Sequence, residues 1–442
     1  MNNPETAETD PAGTGIDLVS ELESWRETLA KEIAKRNHGF HGGGPDLAVQ
    51  RIISGILLLR IFEEKGIMPY GSLGHILQGE GRFSRFCVLL RRAEARYGSG
   101  LFALSIPGNT GDLPGGAMLS DLSIGDDIFG RIVTRTYSPD VRLDFQGITS
   151  VRIAGVFERL LERTIRISGH RLAIEERDEP GTVRSLPITQ DVVDDMVEQT
   201  VGRSAGFLSP REMSSYRILD PACGSGGVLL SAYRFLLAWH RDWYIRNLVP
   251  LLGTGMSIGS PEFQAILPGN GQDQKGTRRG SRFDLPVRRV GESNGSDPSP
   301  VWTLTLAEKK RILTGILHGV DTDRRAVEAT KCALLIELLA DEDEASVLTE
   351  LSLSGNPLLP LLDRNIRCGN PLIGMDYSDS GQSPPYDFRE RKRINPFDWG
   401  SEFPGVFERG GFDLVIGNLP RGSKEYGKER NTYLQTHYRV FH

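Results

Sequence analysis

Four apolar runs in this chain stop at residues able to hold or react with a ligand. The first ends in Asp220-Pro221-Ala222-Cys223-Gly224-Ser225-Gly226, the second at Asp321, the third at Gly369-Asn370 and the fourth at Asn418-Leu419-Pro420-Arg421. In the first, Gly224, Gly226 and Gly227 have no side chain to keep a ligand from the backbone amides at a helix start, and Asp220 stands close by as an acceptor. Many nucleotide binders share such a turn, and a tight strand-to-helix connection with no ligand uses the same residues. Asp321 falls where an acid accepts from ribose hydroxyls; capping the helix that begins near Arg324 is the structural alternative. The fourth run, "FDLVIGNLPRG", sets an amide, a proline and a cation where its apolar residues end.

Those termini need strands and helices to hold them. "YRILDPACGSGGVLLSAYRFLLAWHRDWYIRNL" reads as strand, glycine turn and long helix, and "ILTGILHGVDTDRRAVEATKCALLIELLA" repeats the theme. "NIRCGNPLIG" and "FDLVIGNLPRG" supply two further strands, so strands alternating with helices predict an α/β fold with a mostly parallel, doubly wound sheet. In such sheets ligands bind beyond the carboxyl ends of the strands, which is where all four motifs fall. Upstream, "DLVSELESWRETLAKEIAKRN", "DLAVQRIISGILLLRIFEEKG", "SRFCVLLRRAEARYG" and "VRIAGVFERLLERTIR" have helical spacing. The second is apolar nearly all round, which predicts burial, with Gly66 as its stop. The expected organisation is a disordered tail over 1–15, a helical N-terminal domain over 16–175 and a sheet domain over 176–442. A stretch at about 251–300, rich in Gly, Ser, Pro and Arg without periodicity, reads as an inserted loop.

With 442 residues the chain can bury a large core without crosslinks, and its four cysteines are scattered with no C-x-x-C, so neither a disulfide framework nor a zinc site is suggested. A reducing, cytoplasmic setting fits that usage. The most apolar run, "IISGILLL", is too short to span a bilayer. A net charge of −6 excludes a polycation, although nucleic acid can still be met by local basic stretches at 278–289, 389–393 and 421–430. Pro45-Asp46 followed by Glu63-Glu64-Lys65 matches the pattern of metal-dependent nucleases, but Glu63 and Lys65 end a strongly helical run where a hairpin is required, so a charged helix terminus is expected. The histidines His38 and His41 lack a third ligand nearby, so no metal is expected.

Taken in order, "DPACGSG", "GVDTD", "CGNPL" and "NLPR" resemble the motifs of adenine-N6 DNA methyltransferases, especially the large type II enzymes that fuse restriction and modification. The resemblance extends to "AVQRIISGILLLRIFEEKG", "WTLTLAEKKRIL" and "INPFDWGSEFPGVFERGGFDLVIGN", covering most of residues 20–442. It implies a Rossmann-like methyltransferase sheet, S-adenosyl-L-methionine as cofactor at Asp220 through Gly226, Asp321 and Asn370, and double-stranded DNA as partner. It also implies restriction–modification or phage defence as the setting. By the same resemblance Asn418, Leu419, Pro420 and Arg421 form the catalytic loop. There the Asn oxygen and the next carbonyl accept the two amino hydrogens of a flipped-out adenine, and an aromatic stacks on the base.

The chain departs from the family at three points. Leu419 replaces the loop's first proline and Arg421 its aromatic, so base capture is expected to weaken and an impaired, cofactor- or DNA-binding subunit stands beside the active enzyme. Methylation of a protein glutamine is a third class, opposed by the helical N-terminus. Before the glycine turn, "VRSLPITQDVV" carries Pro187 and Thr189 in an unfamiliar arrangement. Lastly, the family's sheet continues with about three strands and a target-recognition domain after the loop, whereas this sequence stops at His442. The expectation is a sheet incomplete at the C-terminus: a fragment, a truncated gene product, or one half of a split enzyme whose remainder a second chain supplies.

Overall fold

The computed structural model describes residues 18–38, 40, 44–106, 117–138, 145, 147–168, 171–176, 188–254, 260–267, 285–290, 301–354, 357–379, 394–419 and 427–439. The 1–15 tail, His41, Pro187, Pro420 and Arg421, and the basic stretches apart from 285–289 and 427–430, lie outside these residues. The chain divides into two compact units, one of residues 1–92, 104–148 and 164–175, the other of 93–103, 149–163 and 176–442.

In the first unit α1 (Leu18–Arg36) packs on α2 (Gly44–Glu64). Every residue of α2 from Gly44 to Glu63 is buried, as an apolar run on all faces requires. Its charges are matched: Asp46 accepts from Arg26 at 2.9 Å, and the Arg60 guanidinium pairs with Glu63 and Glu64 while lying 4.2 Å from the Tyr137 ring centroid. Gly66 follows at φ 67°, the left-handed stop expected of it. The nuclease-like pattern is thus split between the two ends of one helix, about 26 Å apart at 1.5 Å per residue, too far to share a metal. Among the described residues no cluster of His, Cys, Asp or Glu could hold one. After α3 (Arg82–Tyr97), α4 (Asp126–Arg135) seats Phe129 against Phe83 and Phe86 at 5.2 and 5.1 Å.

The second unit is built on a four-stranded parallel sheet: β1 (Ile218–Asp220), β2 (Leu317–Asp321), β3 (Ile366–Cys368) and β4 (Leu414–Val415), in the spatial order β4-β1-β2-β3. The register opposes Asp220 to Gly319 and Asp321 to Cys368. Because β1 has β2 on one side and β4 on the other, the order of strands reverses there, and this is where a crevice opens in doubly wound sheets. Helix α5 (Ser150–Leu161) packs on α9, and of α6 (Gln190–Val197), α7 (Gly227–Asn247), α8 (Leu306–Ile316) and α9 (Arg324–Leu338), α7, α8 and α9 cover the sheet. On one face Gly319 is small enough for Leu229 and Cys223 to lie against it. On the other, Leu219, His318 and Val320 meet an aromatic cap of Phe397, Phe403 and Phe412. Helix α10 (Gly427–His437) follows the fourth motif.

Two expectations change. The helical pattern at 151–166 stops at Leu161, and Arg163–Ser168 is a strand, because β-branched Thr164 and Ile165 suit a pleated surface. The 251–300 stretch, read as a loop, contains helix Pro261–Ile266 with Phe263 fully buried, and its Val287–Val290 pairs antiparallel with Val301–Leu304. Ten residues, 291–300, separate those two strands in sequence, so no short turn announced the pair.

Candidate functional site

The predicted site residues that fall within the described chain gather at the carboxyl ends of adjacent parallel strands. Asp220 closes β1 and is 1 % exposed. Its Oδ1 accepts from the Ala222 amide at 3.0 Å, and a methyl placed on Gly417 would stand 2.4 Å from the same oxygen. The residue before Asn418 therefore has to be glycine for the first and fourth motifs to meet. Burial, opposed by the Ala222 hydrogen bond and reinforced by the nearby Asp321 charge, pushes the Asp220 carboxyl up to about 7.

The glycine turn is shaped by its own conformation. Gly224 and Gly226 have φ 55° and 97°, where L side chains are strained, and Gly226 ends the turn as the N-cap of α7. A methyl at Gly224 or Gly227 would meet nothing within 4 Å, so both face open space from which a ligand can approach backbone. Gly226 instead lies against Thr330 of α9, whose hydroxyl donates to the Gly224 carbonyl at 2.9 Å. Pro221 and Ala222 are half-buried; Cys223 and Ser225 are buried. Burial drives the Cys223 thiol well above its ordinary range, so it is packing and not a nucleophile.

Asp321 does not cap α9. That role belongs to Asp323, whose side chain accepts from the Arg325 amide, while Asp321 Oδ2 and Oδ1 accept from the amides of Gly224 at 2.9 Å and Asp323 at 2.8 Å. The acid thus braces the glycine turn from the neighbouring strand. Its carbonyl accepts from Gly369, joining the second motif to the third. Gly369 has Phe397 beneath it, 2.3 Å from where a methyl would sit, and Asn370 receives its backbone pairing from Asn395 and Pro396. The Asn370 carboxamide oxygen accepts from Leu372 at 3.1 Å. In the fourth motif Ile416 bonds back to Leu219, Asn418 is half-buried and Leu419 is 55 % exposed.

Thr330, Asn395 and Phe397 escaped the reading of the sequence as site components. Thr330 carries no local signal, lying on a helix more than a hundred positions downstream of the turn it holds. Asn395, at φ 51°, and Phe397 sit in the "INPFDW" text that carried the resemblance but had no role assigned.

Two acids, an open glycine turn and two asparagines thus stand at consecutive strand ends. Residues 316–442, the segment bearing Asp321, Asn370 and Asn418, match the family described as Eco57I restriction-modification methylase. The type II restriction enzyme and methyltransferase RM.Eco57I of Escherichia coli is 25 % identical over 420 residues, 92 % of this chain and 34 % of that protein. The putative type II restriction enzyme and methyltransferase RM.MjaORFECS2P of Methanocaldococcus jannaschii is 29 % identical over 163 residues, 37 % of this chain and 9 % of that one. The family resemblance read from the motifs is therefore borne out, and the chain spans about a third of the length of its Escherichia coli relative. Among solved structures, the type IIL restriction-modification enzyme MmeI in complex with DNA covers 96 % of this chain and 49 % of its own, at 12 % identity and a TM-score of 0.42. That score leaves the fold to be argued from the sheet itself.

Proposed function

We propose that this chain is the catalytic portion of a DNA methyltransferase that transfers a methyl group from S-adenosyl-L-methionine to the N6 of a flipped-out adenine, within a restriction–modification or phage-defence system. One observation carries the reading: Asp220, Asp321 and Asn370 close three neighbouring parallel strands, and Gly417-Asn418 adjoins Asp220 where the strand order reverses. The order β3-β2-β1-β4 supports a Rossmann-like sheet. The domain boundaries at 16–175 and 176–442, and a cytoplasmic setting in keeping with four free cysteines, belong to the same proposal.

The cofactor fits these residues. Its ribose hydroxyls are donors suited to a carboxylate such as Asp321, and Gly224 leaves room for close approach to backbone. When bound it supplies an activated methyl group. The protein's part is alignment: the Asn418 carboxamide oxygen and the Leu419 carbonyl accept the two adenine amino hydrogens and turn the nitrogen lone pair toward the donor. Pro420 and Arg421 lie outside the described residues; by residue type a proline disfavours helical geometry at the residue before it, and a planar guanidinium is able to stack on a base in place of an aromatic ring.

Arg421 also favours a second reading, in which the chain binds cofactor and DNA but transfers poorly, since an aromatic plate is worth about 1–3 kcal/mol per base. The exposed flank of β4, with Val415 58 % exposed, supports a further chain or segment pairing there and bringing the base-reading domain. Calorimetry with S-adenosyl-L-methionine and tritiated methyl transfer to adenine-containing duplexes test both readings: binding with transfer supports the enzyme, binding alone the subunit, and no binding removes both. Arg421→Tyr is expected to raise transfer by about 5- to 100-fold where lost stacking is the limitation. An unchanged rate would assign the deficit elsewhere.

A further inference from the structure

Beyond the strand ends, a compact polar cluster joins the turn after Asn370 to the helix after Asn418. Tyr433 of α10 is 6 % exposed; its hydroxyl donates to Asp376 Oδ1 at 2.7 Å and accepts from the Gly374 amide at 3.1 Å. His437, one helical turn on, stacks on the Tyr433 ring at 3.9 Å and brings Nε2 to 2.9 Å from Asp376 Oδ2. Tyr438 donates to the Leu372 carbonyl at 3.0 Å, and Leu372 is the residue whose amide the Asn370 side chain holds. Around them Ile373, Tyr377, Ile394 and Leu434 form a small buried core.

We propose that Asp376, Tyr433 and His437 are positioning residues that tie α10 to the Asn370 turn, so that cofactor binding at the strand ends and placement of the Asn418 amide are set together. This rests on the reading of Asn370 and Asn418 given above. An apolar seam alone holds two segments together but lets them slide, because dispersion is non-directional. A carboxylate that receives a tyrosine hydroxyl on one oxygen and an imidazole on the other fixes the rotation and axial position of α10. Gly374 belongs to the device: a methyl there would lie 2.5 Å from Asp376 Oδ1 and 3.1 Å from the Tyr433 hydroxyl, wedging the two apart. A ligand that orders Asn370 therefore orders Leu372 to Asp376 and, through them, the far anchor of the chain that carries Asn418. The coupling is reciprocal.

Hydrogen–deuterium exchange on the full chain, with and without S-adenosyl-L-methionine, tests this, with cofactor binding measured on the same samples by calorimetry. In the parent protein the cofactor is expected to slow exchange in peptides covering 431–439 by about threefold or more. Tyr433→Phe, which keeps the ring stacked, and Gly374→Ala should abolish that slowing while weakening the cofactor Kd by about fivefold at most. His437→Gln, still able to donate to Asp376, should retain the effect that His437→Ala loses. Cofactor binding to the parent without slowing at 431–439, or equal slowing in Tyr433→Phe and Gly374→Ala, overturns the coupling alone. Absence of binding in the parent overturns the cofactor site, and the coupling with it.

Discussion

At the residue scale Asp220 is the most consequential group in the site, since its carboxyl is wholly buried and its pKa is pushed up to about 7 chiefly by desolvation. A carboxyl in the unfolded chain titrates near 3.9. The folded state therefore holds the proton more tightly, and the stability that goes with it is complete below about 4 and lost as pH rises through about 7. Between pH 4.5 and 7.5 the parent should lose stability that Asp220→Asn keeps. Urea midpoints for the pair across that window should diverge by the equivalent of about 3 kcal/mol, and parallel curves would show Asp220 to be ionised at neutral pH. Asp321 shows why one residue's role was only half legible. Its type and place after a strand announced an acceptor, but Asp323 stood two positions away with the same credentials for capping. Only the Gly224 amide, folded over from the next strand, assigns the acid to the turn.

The element that carries the crevice is a short sheet clamped between α7 and α9 on one face and aromatic rings on the other. His318 of β2 lies edge-on to Phe403 and Phe412 at 5.5 and 5.4 Å, and burial lowers its pKa to about 4. His240 of α7, also buried, is lowered to about 4 for the same reason. With unfolded values near 6.5, each contributes stability that is complete above pH 6.5 and is lost as pH falls through about 4. This slope is opposite to that of Asp220 over an overlapping range, so each is read from its own variant. His318→Phe, which keeps a ring among the aromatic cap, should shrink the loss measured by urea denaturation between pH 6.5 and 4.5 by roughly 1–3 kcal/mol. An unchanged slope would mean that the imidazole is solvated in the folded state. Strand and helix types were plain from the text because β1 and β2 are followed by glycine or acid and then a long apolar-periodic helix. The Val287–Val290 and Val301–Leu304 pair was not, because strand pairing is a property of two segments and neither announces its partner.

At the scale of the whole molecule, one flank of the sheet is open among the described residues. Among the described residues β4 pairs with β1 alone, and Val415 is 58 % exposed on it. An apolar strand with a free ladder offers its N–H and C=O groups to any strand of compatible length. Val415→Lys should lower self-association in sedimentation velocity at rising concentration, with folding stability unchanged to within about 0.5 kcal/mol. If the parent sediments as a single species at every concentration and the variant matches it, the edge is protected by other means. No helix among the described residues is long and apolar enough to cross a membrane. The two units interleave in sequence, with α5 assigned to the sheet-bearing unit although its periodicity groups it with the upstream helices. Helical spacing states that a face will be buried and is silent about what buries it.

By itself the sequence determined the alternation of strand and helix, the positions where strands end, the buried course of α2 and the family resemblance. Each is written in neighbouring residues: period 2 against 3.6, glycine where φ must be positive, acid and amide where an apolar run stops. Tertiary structure alone decided that Thr330 braces the glycine turn, that Phe397 underlies Gly369, that Gly417 makes room for Asp220, and that Asp376 latches α10. These are meetings between residues tens to hundreds of positions apart. Their existence depends on strand order and register, which no local pattern encodes.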